Sequence, residues 1–82
     1  MPGKRLSPVQ NKIHVLRAEN RMTQKELGTK VGVSRQTINA MEKGRYTPSL
    51  ALAFEIAEVF NLNVTDVFQY QKGGLEDDSN SN

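Results

Sequence analysis

The chain has no cysteine, which excludes a disulfide framework and a thiolate zinc site and fits a reducing cytoplasm. His14 is the only histidine. Without cysteine, the usual nucleophile–base pairs of covalent catalysis are missing, which argues against an enzyme. No run approaches the roughly 18 apolar residues that a membrane span needs. The opening MPGKRLSPVQ lacks the apolar core of a signal peptide. Only 37% of the 82 residues are hydrophobic, so the core must be compact. One small domain is expected, without a separate sensor or catalytic domain. Such a domain is marginal alone, and oligomerisation is a usual remedy. Glu55 and Glu58 can share a helix face, yet nothing places them in a pocket. Solvated acids are the simpler reading, and no metal, cofactor or small-molecule substrate is expected.

The net charge of +2 hides an asymmetry. Residues 1–46 hold ten Lys and Arg against three acids, whereas residues 47–82 hold one Lys against six acids. A basic region facing a polyanion and a second region with another task would produce this split. So would a chance scatter of solvated charges, and composition alone leaves both open.

Local signals divide the chain further. Residues 1–10, with Pro2, Gly3, Pro8, Lys4 and Arg5, read as an extended or mobile arm. Residues 11–72 read as the folded domain. Residues 73–82, GGLEDDSNSN, have the composition of a disordered acidic tail. A first helix is expected over about 11–19, with Ile13 and Leu16 inward. Thr23 and Glu26 have capping-box spacing, Leu27 and Val31 share a face, and Gly32 suits a left-handed stop. This predicts a second helix from Gln24 to Val31. Ser34 is a good N-cap, and Gly44 again a stop, so a third helix runs from Arg35 to about Lys43. The two or three residues between these helices force a sharp turn, as in a helix-turn-helix. In TPSLALAFEIAEVFN, Ser49 or Thr47 caps a fourth helix, with Leu50, Ala53, Ile56, Ala57 and Phe60 as its main stripe. Leu52 and Val59 lie on a neighbouring face, and Asn61 stops the helix. Thr65 is expected to cap a short helix over about 66–68. FQYQ alternates with period two and suggests a short strand pairing with the arm.

On a helical wheel of the third helix, Ile38 and Met41 face the core. Gln36 and Lys43 lie nearly opposite, Asn39 and Ala40 flank them, and Arg35 projects from the first turn. Long hydrogen-bonding side chains at the leading end of a helix suit base edges. Arg pairs with guanine and Gln or Asn with adenine. A merely solvated helix face has the same composition.

The segment QKELGTKVGVSRQTINAME, followed by EKGRYTPSL and the pair Ile56–Ala57, resembles the phage-repressor-like (Cro/cI-type) helix-turn-helix family over about residues 11–68. SRQTINAMEKGRYTPSLALAFEIA is also similar to small stand-alone regulators of the cytolysin-repressor type. The resemblance implies an all-α, five-helix lambda-repressor-like bundle, extended by a small antiparallel sheet. It implies binding to double-stranded DNA, as a homodimer, in a prokaryotic cytoplasm. Where the family usually has Ala, this chain has Gly28, which predicts slightly lower stability and an unchanged fold.

A recognition helix enters the major groove N-terminus first, which makes Ser34, Arg35, Gln36 and Asn39 the expected base readers; by the resemblance, the backbone contacts come from the residues around them. Gln24, Lys25, Lys43, Arg45, Tyr46 and Thr47 are the expected DNA-backbone contacts. Lys4, Arg5 and Lys12 can add long-range attraction. Arg17 and Glu42 occupy positions of an Arg–Glu pair that links helix one to helix three. Leu62, Val64 and Val67 are the expected dimer contacts, with Leu52 or Val59 in addition; the monomer core is the competing use for all five. The expected function is transcriptional regulation, most simply repression, from a palindromic operator. The alternatives are an antitoxin that also binds a toxin protein, and a helical interaction module without DNA binding.

Overall fold

The computed structural model describes residues 6–70; the expected acidic tail and residues Lys4 and Arg5 lie outside that range. Five helices run in the order α1 (Ile13–Glu19), α2 (Gln24–Val31), α3 (Arg35–Glu42), α4 (Leu50–Val59) and α5 (Val64–Val67). Strands β1 (Val9–Asn11) and β2 (Phe68–Tyr70) pair antiparallel at the two ends of the described chain. The register sets Val9 opposite Tyr70 and Asn11 opposite Phe68. The fold is therefore helical with a small sheet, as the resemblance implied.

Cap chemistry explains most of the boundaries. Thr23 accepts from the Glu26 amide, while the Glu26 carboxylate accepts from the Thr23 amide, so two orphan donors at the start of α2 are satisfied reciprocally. Gly32 then adopts φ +79° and stops the helix. Ser34 Oγ caps α3 by accepting from Thr37 N at 3.1 Å. At the far end, the amides of Gly44 and Arg45 return to the carbonyls of Met41 and Ala40, with Gly44 at φ +74°. Of the two candidates for the α4 cap, Ser49 is the one used, accepting from Leu52 N at 3.1 Å. Asn61 ends that helix in the left-handed region, at φ +59°.

Three expectations shift. First, α1 begins at Ile13 because Asn11 belongs to β1 and caps the helix from outside. Its Oδ1 accepts from Ile13 N, and its Nδ2 donates to the Met41 carbonyl. The expected arm–domain boundary at residue 10 thus falls inside β1. Second, the short helix starts after Asn63, whose amide is taken by Asp66 Oδ2 at 3.2 Å; Thr65 lies within it. Third, Leu50 is 72% exposed, whereas Leu52 is buried. The first turn of α4 overhangs the core, so its inward stripe begins one face later.

The core joins Ile13 of α1, Leu27 of α2, Ile38 and Met41 of α3, Leu52, Ala53, Ile56 and Ala57 of α4, Val67 of α5 and Phe68 of β2. Every described element except β1 contributes a buried residue, and β1 packs Val9 against the same cluster. Among the described residues no helix is long and apolar enough to cross a membrane.

Candidate nucleic-acid interface

The backbone brings α2 and α3 into unusually close contact. A Cβ built on Gly28 would meet the Val33 carbonyl oxygen and the Ser34 backbone. The intervening turn is tied back to α2, since Val33 N donates to Gly28 O at 2.9 Å. α3 therefore leaves α2 at a fixed angle. With Ile38 and Met41 fully packed, the opposite face of α3 is turned to solvent.

Arg35 and Gln36 are exposed at the leading end of α3. Ser34 is also exposed, but its Oγ is committed to the cap and shares a 3.0 Å hydrogen bond with Thr37 Oγ1. Asn39 is half-buried one turn further on. Its Oδ1 accepts from Gln24 Nε2 at 3.2 Å. Arg35 and Gln36 thus have no hydrogen-bond partner among the described residues, whereas Ser34 and Asn39 are engaged.

Behind them lies a polar network spanning three helices. Arg17 Nε donates to Glu42 Oε2 at 2.6 Å, and Nη2 to Oε1 at 3.1 Å. Arg17 Nη1 donates to the Met22 carbonyl at 2.9 Å. The side chains are 18% and 9% exposed, so this is a partly buried, two-pronged ion pair. Gln24 joins it, with Nε2 donating to Glu42 Oε1 at 3.0 Å.

That last bond leaves the Gln24 side-chain nitrogen fully engaged. An amide nitrogen has two hydrogens, and here Asn39 and Glu42 take both. The side chain has no donor left for a phosphate unless one bond breaks. The Gln24 and Lys25 backbone amides remain: Thr23 satisfies those of Glu26 and Leu27, but these two have no acceptor among the described residues. They are the orphan donors at the positive end of the α2 dipole. Beside them, Arg21, Lys25 and Arg35 line a shallow cleft together with Arg17, Met22 and Thr23. The sequence reading missed Arg21. The available signal was a basic residue in the turn just before the Thr23 capping box.

Beyond α3, Lys43, Arg45, Tyr46 and Thr47 are all exposed. The residues just before β1 are stitched to this loop. Ser7 N donates to Gly44 O at 2.7 Å, and the Ser7 and Thr47 hydroxyls share a hydrogen bond at 2.5 Å. Ser7, two residues before β1, thus braces the basic loop, a contact that no local pattern announces.

The expected dimer contacts divide differently. Val67 is fully buried in the protomer core and has no surface to offer a second chain; the monomer use wins there, and for Leu52 as well. Leu62 is 38% exposed, and Val64 is half-buried. Both line a groove between α4 and α5 with Phe54 and Ala57, rimmed by Glu55, Glu58 and Asp66. Phe54 is 54% exposed and was not anticipated, because sequence periodicity alone does not say which apolar side of α4 lacks a partner.

A family model described as helix-turn-helix matches residues 13–67, from the first residue of α1 to the last of α5. The chain is similar to an uncharacterized HTH-type transcriptional regulator of Methanocaldococcus jannaschii, with 51% identity over 63 residues, 77% of this chain and 96% of that one. Its fold is similar to the crystal structure of a Bacteroides fragilis protein, with a TM-score of 0.68 and 28% identity, covering 74% of this chain and 98% of that one. It is also similar to the solution structure of the SOS-response transcriptional repressor LexA from Eubacterium rectale. There the TM-score is 0.65 and the identity 27%, over 85% of this chain and 74% of that one.

Proposed function

We propose, from the premise that this chain belongs to the helix-turn-helix family of transcriptional regulators, that it represses transcription by binding a palindromic operator as a homodimer. As a member of that family it is a regulator and not an enzyme. The observation that carries the DNA-reading assignment is the two-sided character of α3. Ile38 and Met41 are locked in the core while Arg35 and Gln36 stand free at its leading end. A recognition helix enters the major groove N-terminus first, so these side chains and Asn39 meet base edges. The free amides of Gln24 and Lys25, with Arg21, Lys25, Lys43 and Arg45, supply backbone contacts that set the register.

One such helix reads too few base pairs for tight specificity. A two-fold dimer places two of them about 34 Å apart, one turn of DNA. The groove holding Phe54, Leu62 and Val64 supplies apolar surface for the second copy. Repression then follows when the operator overlaps a promoter.

Selection from random duplexes tests the whole reading. The expected product is an inverted repeat with half-sites one helical turn apart, bound less tightly as salt rises because phosphate contacts release counterions. Recovery of no common sequence would contradict it.

A further inference from the structure

An amide side chain can rotate by half a turn and exchange its donor for its acceptor, so only its neighbours decide which end points where. Between α2 and α3 the neighbours do decide. The Arg17 guanidinium carries donors only, and it gives two of them to Glu42. The ion-paired carboxylate offers acceptors only. Gln24 must therefore turn its NH₂ end to Glu42, and Nε2 lies 3.0 Å from Oε1. The second hydrogen of that nitrogen is directed at Asn39, 3.2 Å away. Asn39 must answer a donor with its oxygen. Its Nδ2 is the end left over, and it has no partner among the described residues.

We infer that Asn39 presents a hydrogen-bond donor to DNA, with a polarity fixed by Arg17 through Glu42 and Gln24. The inference rests on the DNA-reading function proposed above and adds a specificity to it. In the major groove guanine offers N7 and O6, adenine N7 and thymine O4 as acceptors, while cytosine offers only its amino donor. The base facing Asn39 is therefore any but cytosine. An asparagine free to rotate would read either kind of edge. This one is held, because its reversal would set two NH₂ groups against each other or turn the Gln24 oxygen onto the Glu42 carboxylate. Arg17, Glu42 and Gln24 act here as positioning residues.

The test is competition binding to the operator selected by the wild type. Each of the four bases is placed at the position whose preference Asn39→Ala abolishes. The wild type is expected to bind cytosine there about tenfold more weakly than guanine or thymine. Asn39→Asp keeps an oxygen facing Gln24 but turns a second one outward. Its preference should invert, with cytosine about tenfold better than guanine, whatever the overall loss from the added negative charge. Gln24→Met leaves the Arg17–Glu42 pair intact and frees Asn39, so the cytosine penalty should shrink to about threefold or less. A thermal melt checks that Gln24→Met is folded; if it is not, the Asn39→Asp inversion decides. Wild-type tolerance of cytosine, or no inversion by Asn39→Asp, overturns the inference and leaves DNA reading by Arg35 and Gln36 standing. The same holds if Asn39→Ala changes no base preference. Failure of the wild type to select any sequence overturns both.

Discussion

A Cβ built on Gly28 would lie 2.5 Å from the carbonyl oxygen of Val33. That oxygen belongs to the backbone of the turn and cannot swing aside as a side-chain end would. The expectation that Gly28 merely replaces a family alanine, at a small cost in stability, is therefore revised. Gly28→Ala gains about 1 kcal/mol of helix propensity but overpacks the α2–α3 contact, at a cost of about 1–3 kcal/mol. A net loss of stability in urea is expected, together with weaker operator binding as α3 is pushed away from α2. Stabilisation with unchanged affinity would show that the turn has room to yield.

The Arg17–Glu42 pair behaves as one unit. Removing either partner strands a charge that is largely out of water, which costs roughly 3 kcal/mol. Replacing both with apolar residues of similar size should cost clearly less than the sum of the single changes. A double-mutant cycle in denaturant measures the coupling. Additive losses would mean that the pair contributes nothing as a pair.

Arg35 and Lys43 sit at opposite ends of α3 and should fail differently. Arg35→Ala should lose about 1–3 kcal/mol of discrimination at one base position. Lys43→Ala should weaken binding evenly across sequences and reduce the salt slope by about one unit. Fluorescence anisotropy on specific and scrambled duplexes at several salt concentrations separates the two patterns. Equal effects on both duplexes for Arg35→Ala would move it from the bases to the phosphates.

The groove between α4 and α5 predicts the assembly. Leu62→Glu adds charge to a partly exposed position already rimmed by Glu55, Glu58 and Asp66. It should leave the fold intact and shift sedimentation at micromolar concentration from dimer to monomer. Operator affinity should fall with it while binding to an isolated half-site stays the same. A wild type that is monomeric under these conditions would remove the dimer from the account.

What the sequence made legible was local. α2 and α3 have their expected starts because Thr23–Glu26 and Ser34 act within a single turn, and Gly32 and Gly44 need no distant partner to adopt positive φ. Arg35, Gln36 and Lys43 are exposed, as the helical period of α3 suggests, whereas Asn39 on the same face is half-buried. What stayed hidden depends on contacts across the chain. Asn11 looks like helix from its neighbours, yet it is drawn into a strand by Phe68 and holds the Met41 carbonyl. Asn63 and Thr65 are both cap-forming residues, and Asp66 three places after Asn63 decides between them. Leu50 and Leu52 are chemically alike, and only the packing of α4 separates the exposed one from the buried one. For Gln24 a phosphate contact is the local expectation, because nothing nearby in the chain shows that Asn39 and Glu42, 15 and 18 residues away, take both of its amide hydrogens.

Backbone-amide chemical-shift mapping during titration with the selected operator duplex decides whether the leading end of α3 meets the bases. The largest changes are expected at Ser34, Arg35, Gln36 and Asn39, with Gln24 and Lys25 beside them, and much smaller ones at the same residues with a scrambled duplex. Changes confined to α4 and α5, or identical with both duplexes, would contradict it.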